Sequence, residues 1–169
     1  MANWLDKKGP VVADTVYADN VLVAQDVSFT LPGVVFATAE IQAMGTMSVP
    51  LIGLIENMEL AITKVGIDKG FSRMLRLEKQ NFEFRWVDNV VKSDGSTNVE
   101  GYKAFVRTMP ASTPEIGVEL GSAQESEVTY NVSRMQIYAN GTEILCVDRL
   151  SQILRINGKD YMSKIRNLL

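Results

Sequence analysis

Glu56 and Glu59 are near enough in the chain to suggest paired acid–base chemistry. Residues three apart in a strand point to opposite faces, however, so these two carboxylates do not converge on one bond. Histidine, the commonest general base and metal ligand, is absent. The single cysteine, Cys146, cannot build a zinc site or an intrachain disulfide. In the apolar run EILCV it reads as a small buried hydrophobe. There is no phosphate-cradling glycine loop, and no serine has a histidine partner or a G-x-S-x-G elbow. Asn131-Val132-Ser133 and Asn140-Gly141-Thr142 match the glycosylation pattern, but with no signal peptide predicted they read as chance matches. The residue types therefore predict a protein that is not an enzyme, with no cofactor and no metal.

The chain has 169 residues, 46% of them apolar and 22% charged, with a net charge of −3. This suits one soluble globular domain, residues 1–169, and gives no sign of a nucleic-acid-binding surface. No run approaches the ~18 apolar residues of a membrane span, so no membrane insertion is expected. The opening MANWLDKKGPVV mixes acid and base without a signal-peptide core, which predicts a cytosolic product. The charge is unevenly placed. Between Lys8 and Lys64 there is no lysine or arginine, while Asp14, Asp19, Asp26, Glu40, Glu56 and Glu59 fall in that interval.

That interval holds the most unusual element. Two long strands are predicted, about Val34–Met44 and Leu51–Val65, joined by a loop carrying Gly45, Ser48 and Pro50. Thr38, Glu40 and Gln42 fall on one face of the first, and Val35, Ala37, Ala39, Ile41 and Ala43 on the other. In the second, Met58, Leu60 and Ile62 oppose Asn57, Glu59, Ala61 and Thr63. The apolar side suits packing on a body, and the polar side faces water. Val34 and Phe36 share the parity of Glu40 and break the pattern. Two readings stay open: an ordinary hairpin with one solvated face, or a surface purged of the cations that grip a polyanion.

Around it the chain reads as strands with two helices. Residues 1–15 are predicted as an N-terminal arm, with Trp4 and Leu5 as anchors and Gly9-Pro10 as punctuation. Tyr17–Val23 reads as a short hairpin turning at Asp19-Asn20, and Val27–Leu31 as a brief strand. Asp68–Glu78 is predicted helical, capped by Asp68, with Phe71, Met74 and Leu75 on one face and Lys69, Arg73, Arg76 and Lys79 on the other. Strands follow at Phe82–Val91, Val99–Met109, Glu125–Ala139, Glu143–Val147 and Ile153–Ile156. Asp94-Gly95, Asn140-Gly141 and Asn157-Gly158 mark turns. Ala111–Gln124 is the longest loop. Lys159–Leu169 reads as a C-terminal helix capped by Asp160, with Tyr161, Ile165 and Leu168 as its stripe. The fold class is mainly β: a small β-barrel or sandwich with long hairpins, a mid-chain helix and a C-terminal helix.

VSFTLPGVVFATAEIQAMG, MSVPLIGLIENMELAIT and the ending EILCVDRLSQILRINGKDYMSKIRNLL resemble the major tail tube proteins of contractile-tailed phages. P2-like tube proteins and the tubes of R-type tailocins are the kin. The most specific matches are Leu31-Pro32, Asn140-Gly141, Val147-Asp148, Arg155-Ile156-Asn157-Gly158 and Arg166-Asn167-Leu168. They are structural, and nothing is carried over onto Lys92–Asn98 or Thr113–Gln124. The resemblance implies homo-hexameric rings stacked helically into the inner tube of a tail, each subunit lending long hairpins to a shared inner barrel.

It further implies that Thr38, Glu40, Gln42, Asn57, Glu59 and Thr63 face the lumen. A second lumen hairpin would come from Val99–Met109 and Glu125–Ala139, where Lys103, Arg107 and Arg134 temper the charge. Trp4, Leu5, Met47 and Ser48 would mediate ring stacking, and Arg73 and Arg76 would face the sheath. The implied partners are the sheath protein, a baseplate or tube initiator, a tail terminator, a tape measure protein in the lumen during assembly, and double-stranded DNA in transit without specific binding. The implied location is a virion or tailocin tail, assembled in the bacterial host cytoplasm. A type VI secretion-like tube protein and a monomeric small-ligand-binding β-barrel are the alternatives.

Overall fold

Turn chemistry sets the frame. Asp19-Asn20, Asn140-Gly141 and Asn157-Gly158 all adopt positive φ, between 49° and 82°. That is the demand of two-residue hairpin turns, which asparagine, aspartate and glycine meet at least cost. In the computed structural model, which describes residues 5–169, these turns link β1 (Lys7–Ala18) to β2 (Val21–Gln25), β9 (Glu125–Ala139) to β10 (Thr142–Asp148), and β11 (Ile153–Ile156) to β12 (Lys159–Asp160). The other strands are β3 (Ser28–Thr30), β4 (Phe36–Gln42), β5 (Thr46–Ile55), β6 (Glu59–Val65), β7 (Gln80–Val91) and β8 (Thr97–Pro110). Two short helices complete the chain, α1 (Lys69–Met74) and α2 (Ser163–Arg166).

Ten strands form one antiparallel sheet in the order β12-β11-β10-β9-β8-β7-β1-β2, with β6 added to β9 and β3 to β6. β4 and β5 pair only with each other, as a separate two-stranded sheet. The architecture is sandwich-like with long hairpins, and its sheets do not close into a barrel. Between the curled layers lie Leu60 and Ile62 from β6, Phe82 and Phe84 from β7, Val128 and Tyr130 from β9, and Phe71 and Met74 from α1. Aromatic rings interlock there, with Phe29 and Phe84 4.6 Å apart and Phe82 and Tyr130 4.9 Å apart.

The mid-chain helix begins as expected. Asp68 is its N-cap and accepts the Phe71 backbone N–H at 2.8 Å. It ends early, after Met74, rather than at Glu78. The Tyr130 hydroxyl donates to the Met74 carbonyl at 2.6 Å and the Gln80 amide donates to the Arg76 carbonyl at 3.0 Å, so strand side chains take the carbonyls another turn would have used. Gly70 passes so near β2 that a Cβ there would meet the Val23 carbonyl oxygen at 2.1 Å. Buried Lys64 donates to that same oxygen at 2.9 Å and is 2.9 Å from Asp68.

Other expectations are corrected. Lys7–Thr15 is no arm: it is the first part of β1, paired with β7 as far as Lys7 opposite Val91. The predicted strand Leu51–Val65 is two strands, because at residues 56–58 the chain leaves β4 for β9. Glu56 N–H still donates to the Val35 carbonyl, and the Met58 carbonyl already accepts from Val132. Ser48 and Pro50 belong to β5, not to a loop, and the turn is at Met44-Gly45. A register shift between Phe36 and Thr38 accounts for the broken parity: Val34 and Phe36 pack against the core. The C-terminal helix is only α2. Lys159 and Asp160 pair with β11 instead, and the N-cap position is Met162, with no side-chain cap. Cys146 is buried, as expected.

Two outcomes test this frame. Gly70→Ala will destabilise the protein by at least about 2 kcal/mol in urea unfolding, because backbone and not a flexible side chain occupies the space. Asp68 has its carboxyl held below the usual aspartate range by the Phe71 N–H and then by Lys64. The folded state thus binds this proton less tightly than the unfolded chain. The stabilisation is complete above the ordinary aspartate value of about 3.9 and is lost as pH falls through the lower folded value. Asp68→Asn keeps a good cap but removes the anion beside Lys64. It will cost about 1 kcal/mol at pH 7, given the partial exposure of the pair, and will flatten the acid dependence of stability between pH 5 and 3.

Candidate assembly surfaces

The hairpin β4–β5 has little body behind it. On its polar face Thr38, Glu40 and Gln42 lie opposite Pro50, Ser48 and Thr46. The other face is apolar, with Ala39 opposite Val49 and Ile41 opposite Met47. Only the root is anchored: Phe36 and Ile55 pack against the core, and Arg149 donates to the Ile55 carbonyl at 3.1 Å. The apolar side was expected to pack on the body along its length, yet Ile41 and Met47 are 45% and 46% exposed. An isolated two-stranded hairpin is marginal in water, and its unpaired edges are templates for another chain.

The lumen residues implied by the resemblance fall on two elements. Thr38, Glu40 and Gln42 are exposed on β4; Asn57, Glu59 and Thr63 flank or belong to β6, on the side away from buried Met58, Leu60 and Ile62. Glu59 lies opposite Asn131, and Thr63 lies between Glu127 of β9 and Ser28 of β3. The Asn57 amide donates to Asn131 at 2.9 Å. This outward face is acidic and polar, and Glu125 and Glu127 extend it in a way the strand pattern of residues 34–65 did not show. From Thr108 to Ser133 the sequence again lacks any cation, which was the available signal.

Further along β8 and β9 the same outward side turns basic. Lys103, Phe105 and Arg107 lie opposite Tyr138, Gln136 and Arg134. All three cations thus point away from the core. Further across the sheet on this same outward side, Glu143 accepts from Gln136 at 3.1 Å and is gripped by Arg155 at 2.6 Å, and Asp160 by Arg166 at 2.6 Å; each carboxyl is held low first by that arginine. These pairs fasten β10–β12 and α2 together.

Arg73 and Arg76, expected to face the sheath, behave unlike a free basic patch. Arg76, just past α1, is bound to Asp19 at 2.6 Å, tying the segment after the helix to the β1–β2 turn, and the Arg73 Nε is a buried atom. Of the residues expected to mediate ring stacking, Leu5 is 86% exposed and Met47 and Ser48 are exposed on β5. Trp4 lies outside the described residues. Among the described residues no three histidine, cysteine, aspartate or glutamate side chains group as metal ligands. Burial pushes the Cys146 thiol up, away from the reactive thiolate form.

One hairpin paired only with itself and long charged sheet faces are thus exposed on this chain. The solved structures agree on the fold. The chain superposes on one from the sheath–tube complex of an extracellular contractile injection system in its extended state, with a TM-score of 0.52 and 16% identity, over 78% of this chain and 91% of that one. A chain of that system's sheath/tube terminator gives 0.51 and 16%, over 77% and 96%. A chain of the anti-feeding prophage tube-terminating cap gives 0.56 and 14%, over 82% and 96%. No curated protein matches the sequence. The family model for phage tail tube protein FII matches residues 12–169, nearly the whole chain, and the protein therefore belongs to that family, as a structural component of a tail tube.

Proposed function

We propose that six copies close into a ring and that rings stack helically into the inner tube of a contractile tail, within a sheath. The observation that carries this reading is the β4–β5 hairpin, whose edges and apolar side are unpartnered within one chain. In a ring each hairpin pairs with strands of its neighbour, so exposed edges become a continuous wall. The tube, terminator and cap structures with this fold support the sheath and a terminator as partners. A baseplate initiator and a tape measure protein complete the assembly in the host cytoplasm.

The acidic faces of β4 and of β6–β9 line the lumen in this reading, with Thr38, Glu40, Gln42, Asn57, Glu59 and Thr63 in contact with water. Lacking cations, they offer DNA no phosphate grip, so it slides through without specific binding. Leu5, Met47 and Ser48, with Trp4, contribute to ring stacking. The sheath meets the exterior around α1, where exposed Lys69 and Lys79 are freer than Arg73 or Arg76. A monomeric ligand-binding barrel would need an interior cavity; here the space is occupied by fully buried Phe71, Phe82 and Phe84. A secretion tube of the type VI kind has the same geometry and differs in cargo.

Electron microscopy of the concentrated purified protein will show six-fold rings or hollow tubes; a monomer that tightly binds a small apolar ligand would reverse the reading. Glu40→Lys combined with Glu59→Lys will leave assembly largely intact and slow or block DNA passage in ejection assays. Normal ejection by such particles would remove these residues from the lumen.

A further inference from the structure

Arg107 on β8 and Arg134 on β9 lie directly opposite each other. Like charges so placed across antiparallel strands repel. The Nε of each is buried and has no hydrogen-bond partner among the described residues. Together with exposed Phe105 they line an open cleft of about 530 Å³. The carboxylates at its rim are already engaged, Asp19 by Arg76 at 2.6 Å and Glu83 by Arg85 at 2.6 Å. Asp148 is no nearer than 4.0 Å to Arg134, and its other oxygen accepts the Leu150 and Ser151 N–H groups. The cleft is therefore two arginines and an aromatic wall in search of an acidic, partly apolar occupant.

The chain carries a segment of that chemistry. Glu115–Leu120, in the connection between β8 and β9, reads EIGVEL, with Ile116, Val118 and Leu120 alternating against Glu115, Gly117 and Glu119. This is a strand's period, yet the segment pairs with no strand. Its apolar side chains are exposed, Val118 and Leu120 almost wholly so. Neither glutamate forms an ion pair among the described residues. No residue of the segment lines the cleft of its own chain.

We propose that Glu115–Leu120 of one copy docks in the Arg107–Arg134 cleft of the next. The contact joins unlike patches, and such head-to-tail contacts generate rings and filaments. It also gives copies of a net-negative chain an attractive contact. The inference rests on the self-assembly reading and names one of its interfaces.

Charge exchange tests it. Arg107→Glu with Arg134→Glu makes a reversed-cleft chain, and Glu115→Lys with Glu119→Lys a reversed-segment chain. Circular dichroism melts identify variants that fold; if reversal prevents folding, Arg107→Gln with Arg134→Gln replaces the first pair and is read on its own tube yield, the mixing arm being kept for charge-reversed chains only. Each reversed chain alone will give at least about tenfold less sedimentable tube than wild type at low salt. An equimolar mixture of the two, or all four changes in one chain, will restore tubes. Wild-type yield from each reversed chain alone, or no recovery on mixing, would overturn the contact while leaving self-assembly standing. A wild-type chain that never assembles would overturn the self-assembly reading and this contact with it.

Discussion

β9 is the strand on which the other elements depend. Its backbone pairs with β8 along one edge, from Tyr130 to Ala139, and on the other edge with β6 and β10 end to end. The β8 ladder has one irregularity, where Thr108 opposes Val132 and Arg107 opposes Arg134. Ser133 is the extra residue. Its hydroxyl donates to the Arg107 carbonyl and its carbonyl accepts from the Arg149 N–H, so both carbonyls at the bulge keep a partner. Val132 stays inward before the bulge and Met135 after it, so the core is unbroken across the step. The outward side is likewise continuous, and the face of Glu127, Thr129 and Asn131 passes directly into that of Arg134 and Gln136.

Much of this was legible in the residues because it is local. Asn-Gly and Asp-Asn pairs announce turns through their tolerance of positive φ, and each appears where expected. β9 and β11 match their expected limits, since β-branched and aromatic alternation is strong there. What escaped was decided by distant partners. Gly9-Pro10 reads as an arm, yet β7 pairs with the chain on both sides of it, the register shifting between Lys8 and Val11, where Pro10 lacks an N–H, and again between Val11 and Ala13. The end of α1 is set by Tyr130 and Gln80, which no helical period reveals. The switch at residues 56–58 preserves strand-like alternation on both sides, so the pattern looks unbroken even as the strand changes sheets.

The surfaces were legible in composition more than in detail. Absence of cations from residues 9–63 pointed to Glu40 and Glu59, and both are exposed. The basic face of the presumed helix Asp68–Glu78 was readable as a stripe, yet Arg76 is committed to Asp19 through a contact 57 residues apart. Side-chain type identifies which groups carry charge; only the fold shows which charges are already neutralised within the chain.

The loose attachment of β4–β5 has a thermodynamic consequence. A hairpin whose backbone edges and apolar side are completed by another molecule leaves part of the subunit's folding free energy unrealised until assembly. Linkage then makes subunit stability a function of how many companions are present. Under the proposed ring assembly, the free chain would hold that element near the bottom of the local stability scale, while the same residues in a closed wall would share the cooperativity of the whole. For such a protein the last step of folding and the first step of building are one equilibrium.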